Sequence, residues 1–215
     1  MSAYPQGSLY QKLYARYFDE HKMLEFMRLG GDMNYKNITD ICGGTGRLAG
    51  LIKTSYPHAD VLLVDESRPM ASVYNGPFIC TSVADFLRDC HKYSEDVIFC
   101  QQAVNYWFNE HDADRVFTAL KKGGKFIFNT FSNKPDIIPS VKSYHIDEVE
   151  FVEVSWYVPA DNCVHHVQIR EGMPMHSTKF MWIPKEDFVN TLVNIGFDVE
   201  VIERGASLTV VAVKP

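Results

Sequence analysis

The sequence predicts one α/β domain: a seven-stranded, mostly parallel sheet ending in an antiparallel hairpin, with a small antiparallel sheet inserted before the end. Three observations carry this. From residue 38 to residue 130, short runs rich in β-branched and aromatic residues alternate with segments of helical periodicity, the pattern of parallel βα units. The first run passes directly into a glycine-rich turn, Cys42-Gly43-Gly44-Thr45-Gly46. Beyond residue 145 strand-like runs follow one another without helices between them, and two more close the chain.

Composition narrows the function before any motif does. The chain has 215 residues, 46% hydrophobic and 22% charged, the make-up of a globular protein with its own core. Lys and Arg number 21 against 27 Asp and Glu, a net charge of −6, and the densest basic run is Lys121-Lys122. A broad nucleic-acid footprint needs clustered positive charge, so nucleic acid is not the expected partner. The five cysteines, Cys42, Cys80, Cys90, Cys100 and Cys163, show no Cys-x-x-Cys spacing and are odd in number. That argues against a disulfide or zinc framework and for a reducing compartment, and no metal site is expected. Residues 1–7 lack the charged-then-apolar succession of a signal peptide, and no apolar run reaches membrane-spanning length. The expectation is a soluble cytoplasmic chain, monomeric or homodimeric, with no membrane partner.

After a tail containing Pro5 and Gly7, Ser8 caps a predicted helix over residues 8–29, closed by Gly30-Gly31. Tyr10, Tyr14, Tyr17 and Phe18 fall at i, i+4, i+7 and i+8 and share a face. Either these rings pack the helix onto the sheet, or the phenols, which seek polar partners when buried, face a site.

Ile38-Thr39-Asp40-Ile41-Cys42 is the first strand, the glycines turn the backbone, and helical periodicity begins at Leu48. Such a junction aims backbone N–H groups and the positive end of a helix dipole at whatever lies over the loop. The missing Cβ at Gly44 and Gly46 lets a ligand come close. Residues 44–49 also satisfy the G-x-G-x-x-A pattern of dinucleotide-binding loops. Asp40 separates the two cases, because a carboxylate at the strand end repels a pyrophosphate and suits an ammonium or a sulfonium.

Val61-Leu62-Leu63-Val64 is the second strand and ends in Asp65-Glu66, with Asp65 standing 19 residues beyond Gly46. That is close to the spacing at which an acidic residue accepts hydrogen bonds from ribose hydroxyls. Phe78-Ile79-Cys80 is the third strand, followed by Ser82-Val83-Ala84-Asp85. The apolar run in Asp96-Val97-Ile98-Phe99-Cys100 marks a central fourth strand. It leads into Gln101-Gln102-Ala103-Val104-Asn105-Tyr106-Trp107, where ligands of open α/β sheets sit. Asn105 and Tyr106 are candidate substrate contacts, whereas Trp107 and Phe108 fill the core beneath a helix.

Residues 112–120 form a helix with Ala113, Val116, Phe117 and Leu120 on one side, stopped at Lys121-Lys122-Gly123-Gly124. Residues 126–130 are the fifth strand, and residues 133–143, with Pro135 and Pro139 and no periodicity, read as a loop. Strand runs follow at 149–158, 163–170 and 175–183. In the second of them His166, Gln168 and Arg170 share a face opposite His165, Val167 and Ile169. This inserted sheet reads as a roof over the site. A helix over residues 184–195 starts at Pro184 and stops at Gly196, and residues 197–202 and 208–213 form the terminal hairpin around Arg204-Gly205.

The stretch Asp40-Ile41-Cys42-Gly43-Gly44-Thr45-Gly46 resembles the first motif of class I S-adenosylmethionine-dependent methyltransferases, with Cys42 where the first glycine is usual. Asp65-Glu66-Ser67-Arg68-Pro69-Met70 looks like the second motif, and residues 120–128 resemble the family's Leu-Lys-Pro-Gly-Gly turn with Lys122 in place of Pro. The resemblance implies a Rossmann-like fold over residues 1–215, with residues 1–30 as a helical lid and residues 145–183 as the inserted strands. It implies S-adenosylmethionine as cofactor, S-adenosylhomocysteine as product, and methyl transfer to an N or O atom of a small-molecule acceptor. It places Tyr14, Asp40, Cys42, Gly44, Gly46, Asp65, Glu66, Met70, Ser82, Val83 and Gln101 against the cofactor. In that family Asp65 would hold the ribose and Met70 line the adenine. Ser82 occupies the usually acidic position near the adenine amine, with Asp85 the nearest carboxylate. Enzymes of this class that methylate amino groups of nucleic-acid bases usually carry prolines where residues 101–107 have none.

With an activated methyl donor, alignment and desolvation of the acceptor supply much of the rate, and a general base matters only for acceptors that lose a proton. Tyr106 and His166 are the candidate catalytic residues. The polar face shared by His166, Gln168 and Arg170 fits a site wall, and it equally fits solvent exposure. Three functions stay open: a small-molecule methyltransferase, favoured by roof, tyrosine lid and acidic charge; one acting on protein or RNA, which needs an open groove; and a domain that binds the cofactor without methylating.

Overall fold

The computed structural model describes residues 11, 19–92, 94–134, 136–146, 149–170 and 176–215. In chain order these contain α1 (Glu20–Arg28), β1 (Asn37–Ile41), α2 (Arg47–Ser55), β2 (Asp60–Asp65), α3 (Arg68–Ala71), β3 (Phe78–Cys80), α4 (Val83–Asp89) and β4 (Glu95–Gln101). A 3₁₀ turn (Val104–Tyr106), α5 (Glu110–Ala119) and β5 (Leu120–Phe131) follow. Then come β6 (Ser140–Ile146), β7 (Val149–Val158), β8 (Cys163–Arg170), β9 (His176–Met181), α6 (Lys185–Ile195), β10 (Asp198–Arg204) and β11 (Ser207–Val213).

Seven strands make one sheet in the order β10-β11-β5-β4-β1-β2-β3. β1 runs parallel to β2 and β4, with Asp40 opposite Leu63 on one side and Phe99 on the other. β11 is antiparallel to both β10 and β5. The strand order reverses between β1 and β4, and at that switch point the crevice for a ligand opens at the carboxyl ends of the strands.

Alternation along the central strands feeds a core on each face. Val97 and Phe99 pack with Phe26, Leu48 and Ile52 beneath α1 and α2, while Ile98 and Cys100 pack with Val116, Phe188 and Leu192 on the other side. Local chemistry fixes the helix ends. The Asn109 side chain accepts from the Asp112 N–H and caps α5, and Gly196, in the left-handed region at φ 116°, closes α6.

Three expectations are corrected. The helix that reaches Leu29 does not run on from Ser8, because Asp19 is extended (φ −112°, ψ 101°) and caps a new helix by accepting from the Lys22 N–H. Ser8, Tyr10, Tyr14, Tyr17 and Phe18 lie outside the described residues. The fifth strand starts at Leu120 rather than Phe126, since the Lys-Lys-Gly-Gly segment is pinned to the chain end: Gly123 N–H donates to Lys214 O at 2.7 Å and Lys214 N–H to Gly124 O at 2.9 Å. The third correction concerns residues 133–143, read as loop. Ser140 onward is strand β6, so the inserted sheet has four strands, β6-β7-β8-β9, and begins at Ser140 rather than residue 145. Its register, Ser140 opposite Ser155 through Ile146 opposite Val149, comes from the ladder with β7 and not from any apolar alternation of its own.

Candidate functional site

A cavity of about 910 Å³ lies at the carboxyl ends of the parallel strands, between the glycine loop, α1, β9 and the terminal hairpin. Its deepest charged group is Asp40, which is fully buried. Neither carboxylate oxygen has a hydrogen-bond partner among the described residues. Burial raises its pKa to about 7 and the nearby Asp65 charge adds to the rise, while the Ala49 N–H at the start of α2, short of hydrogen-bond geometry, offsets only part. Above that pH the site holds a buried negative charge whose carboxylate oxygens have no hydrogen-bond partner among the described residues, which is costly unless a ligand supplies the positive charge.

The glycine loop follows at once. Cys42, Gly44 and Gly46 all adopt left-handed φ, at 53°, 58° and 72°. Gly43 is the position that sterics bind most tightly: a Cβ there would meet Leu63 Cδ1 at 2.3 Å and Asp40 Oδ2 at 2.5 Å. Cys42 lines the cavity, its thiol pushed well above its ordinary pKa by contact with the Cys100 thiol and by burial, so it stays a thiol. Asp65, at the end of β2, accepts from Gly44 N–H at 2.9 Å and Ser67 N–H at 2.8 Å, and burial raises its pKa. Each oxygen retains a lone pair, so the carboxylate can still accept from hydroxyls of a ligand while holding the loop.

Glu66, Met70, Thr81, Ser82 and Val83 continue the wall, and Gln101 at the end of β4 and Gln102 just beyond it close it. Ser82 caps α4 by accepting from Asp85 N–H at 3.1 Å, and its hydroxyl donates to Asp85 Oδ2 at 2.8 Å. Asp85, which also accepts from Arg88 at 2.7 Å, is not among the lining residues, so of the two it is Ser82 that borders the cavity.

The far end has a different character. Tyr106 and Phe131 are 42% and 51% exposed, and both rings contact Phe180 of β9, with centroids 5.4 Å and 6.2 Å away. Asn129, Ser207, Thr209, Arg204 and Glu25 stand around them, Arg204 donating to the Glu25 carboxylate. Asn105 is buried where floor meets roof: its Nδ2 donates to Met181 O at 2.9 Å, and its Oδ1 accepts from Thr130 Oγ1. Phe131, Asn129, Phe180 and Arg204 were not singled out from the sequence. Their nearest signal is position at strand ends, which marks rims without saying which rims meet.

The structure thus brings Asp40, Cys42, Gly44, Asp65, Glu66, Met70, Ser82, Val83, Gln101 and Tyr106 to one cavity. Gly46 sits one turn back, packed against Tyr74, where a Cβ would come within 2.6 Å of the ring. Tyr14 lies outside the described residues. His166 does not line the cavity: it is on the face of the inserted sheet that carries Phe180, its Nδ1 is 2.7 Å from Ser155 Oγ, and burial lowers its pKa. On the same face Glu153 accepts from Tyr144 at 2.5 Å and Gln168 at 2.8 Å.

No family model and no curated protein sequence matches the chain. Solved structures do. A S-adenosylmethionine-dependent methyltransferase from Clostridium acetobutylicum superposes with TM-score 0.72 at 18% identity, covering 96% of each chain. The sugar N-methyltransferase KedS8 from Streptoalloteichus superposes with TM-score 0.71 at 16% identity, over 100% of this chain and 96% of that one. The S-adenosylmethionine-bound amino pentose methyltransferase CalS10 from Micromonospora echinaspora gives TM-score 0.74 at 14% identity, over 100% and 99%. At such identities the likeness establishes the fold. It is the fold of these methyltransferases, a mostly parallel seven-stranded sheet with a terminal antiparallel hairpin and a separate four-stranded antiparallel sheet.

Proposed function

We propose that the chain is an S-adenosylmethionine-dependent methyltransferase that methylates an N or O atom of a small molecule. The observation that carries the reading is Asp40, a buried carboxylate without a hydrogen-bond partner among the described residues, set beneath left-handed loop residues at the start of a helix. A pyrophosphate would be repelled there, whereas the ammonium and sulfonium of S-adenosylmethionine provide the missing positive charge. Asp40 and the loop N–H groups would hold the amino-acid end. Asp65, with Glu66 beside it, would take the ribose, and Met70, Ser82 and Val83 would enclose the base. When bound, S-adenosylmethionine supplies an activated methyl group.

The rest of the cavity then belongs to the acceptor. Tyr106, Phe131 and Phe180 offer ring faces to an apolar surface, and Asn129, Ser207 and Thr209 offer hydrogen bonds to polar groups around it. Phe180 of β9 and Met23 and Phe26 of α1 border the cavity, and walls of this kind would desolvate an acceptor, which supports a small molecule over a polypeptide or an RNA strand. KedS8 and CalS10 are described as acting on sugars, which supports an amino sugar as the first acceptor to test. Tyr106 is the proposed catalytic contact, its phenol at the acceptor end. His166 is proposed to act by holding the inner face of the inserted sheet through Ser155 rather than by touching the acceptor. The test is formation of S-adenosylhomocysteine from S-adenosylmethionine with a panel of amino sugars, aromatic amines and phenols. Turnover with one of these and none with peptides or RNA is expected; turnover confined to peptides or RNA would refute it.

A further inference from the structure

Among the described residues, four that are not glycine hold a left-handed backbone: Tyr35, Cys42, Gln102 and Asn162, with φ of 58°, 53°, 56° and 51°. Two of them line the cavity. Cys42 stands one residue beyond the end of β1 and Gln102 one residue beyond the end of β4, and these strands are neighbours at the switch point. Cys42 belongs to the glycine turn. Gln102 belongs to no such turn, and glutamine lacks the short polar side chain that eases Asn or Asp into this region.

β5 enforces the kink. The Gln102 N–H donates to Asn129 Oδ1 at 2.8 Å and to Asn129 O at 3.2 Å, which ends the strand and turns the chain into the 3₁₀ segment carrying Tyr106. Glycine would make the same turn without strain, so the turn accounts for the conformation and not for the choice of glutamine. The side chain is exposed, lines the cavity, and forms no hydrogen bond with another described residue. The nearby amide of Asn105 is the opposite case, since both its ends are engaged, by Met181 O and Thr130 Oγ1. Strain that the surrounding structure holds in place at a ligand-facing position points to function.

We propose that Gln102 orients the acceptor by accepting, at its amide oxygen, a hydrogen bond from the amino group that is methylated. The proposal rests on the methyl-transfer reading and narrows its acceptor to an amine. A hydroxyl has to lose its proton to become a good nucleophile, and an amide cannot take one up. An amine needs only to stay neutral and correctly turned. A carboxylate at this position would favour the ammonium form, which has no lone pair to attack with, whereas a neutral amide holds the N–H without that bias. In the reaction the nitrogen lone pair forms the new bond to the methyl carbon as the carbon–sulfur bond breaks and leaves its electron pair on sulfur. The nitrogen, now positively charged, keeps its proton on the Gln102 oxygen until water takes it.

Three variants test this: Gln102→Gly, Gln102→Ala and Gln102→Glu, each followed by thermal melting, S-adenosylhomocysteine affinity and turnover of an amine. Gln102→Gly is expected to melt no lower than wild type and above Gln102→Ala, since both lose the side chain and only glycine loses the strain. In both, kcat/KM for the amine is expected to fall about tenfold, as for one lost hydrogen bond, with S-adenosylhomocysteine affinity within about twofold. A structural role would move stability and turnover together. Gln102→Glu is expected to shift the acid limb of the kcat/KM profile to higher pH, because the carboxylate keeps the amine protonated. Gln102→Ala melting above Gln102→Gly, undiminished turnover in Gln102→Gly, or an unmoved pH profile in Gln102→Glu would overturn the role of Gln102. So would a loss of S-adenosylhomocysteine affinity that matches the loss of turnover, which would assign the side chain to the cofactor. A wild type that binds no S-adenosylhomocysteine and methylates no amine would overturn the methyl-transfer reading itself and this role with it.

Discussion

Replacing Asp40 with Asn should make the protein more stable and nearly abolish cofactor binding, and both effects follow from one buried charge. The Asp40 pKa rises from 3.8 to about 7 on folding. The folded state therefore holds the proton more tightly than the unfolded chain. The associated stability is fully present below about 3.8 and is lost as pH rises through about 7. At about 1.36 kcal/mol per pH unit, the ionised carboxylate costs about 4 kcal/mol above pH 7. Asn matches Asp in size and carries no charge, so urea unfolding at pH 8 should show the variant up to about 4 kcal/mol more stable, falling to about 1.6 kcal/mol at pH 5. For a domain of this size that is a melting shift of roughly 10 °C at pH 8. S-adenosylmethionine affinity should fall at least 100-fold, the cost of removing one partner of a buried ion pair. A destabilised variant at pH 8 would refute the reasoning about burial; an unchanged affinity would remove Asp40 from the site.

Gly43→Ala should destabilise by about 1–3 kcal/mol and displace Asp40, because the added methyl overlaps both Leu63 and the carboxylate; thermal melting with and without cofactor reads both effects. Asp65→Ala should weaken cofactor binding by roughly 10-fold or more, since it removes the acceptor that also orders Gly44, while circular dichroism stays native. Asn105→Leu should cost about 1–3 kcal/mol by leaving Met181 O and Thr130 without their partner, with faster hydrogen exchange in β9 and unchanged exchange in β1; equal protection in β9 would mean the roof is held otherwise. Tyr106→Phe should lower turnover while leaving S-adenosylhomocysteine affinity within about twofold, as a group that meets acceptor and not donor.

The parts of the site that are local in sequence were readable there. Asp40, the glycine turn and the start of α2 lie within ten residues, so residue type and spacing define strand, loop and helix without tertiary information. Asp65 was readable because a parallel βα unit returns the chain to the neighbouring strand at a nearly fixed distance. The acceptor end was not readable, because Tyr106, Phe131 and Phe180 meet only when β4, β5 and β9 are assembled. Alternation placed His166 correctly on the face opposite His165, but it could not say how far along that face the cavity extends. β6 is not legible in the sequence because an edge strand with Lys142 and two serines owes its form to its partner, not to its own pattern. Asp19 interrupts what periodicity alone reads as one helix, since a side chain that caps its own backbone competes with helix continuation.

The most direct test is calorimetric titration of the purified protein with S-adenosylmethionine, and in parallel with NAD, across pH 5.5 to 8.5. One S-adenosylmethionine per chain is expected, with affinity level above about pH 7 and falling about tenfold per pH unit below it as Asp40 takes up its proton, and no heat from NAD. Binding of NAD, or S-adenosylmethionine affinity independent of pH across that range, would contradict the assignment of the buried carboxylate to a cationic cofactor.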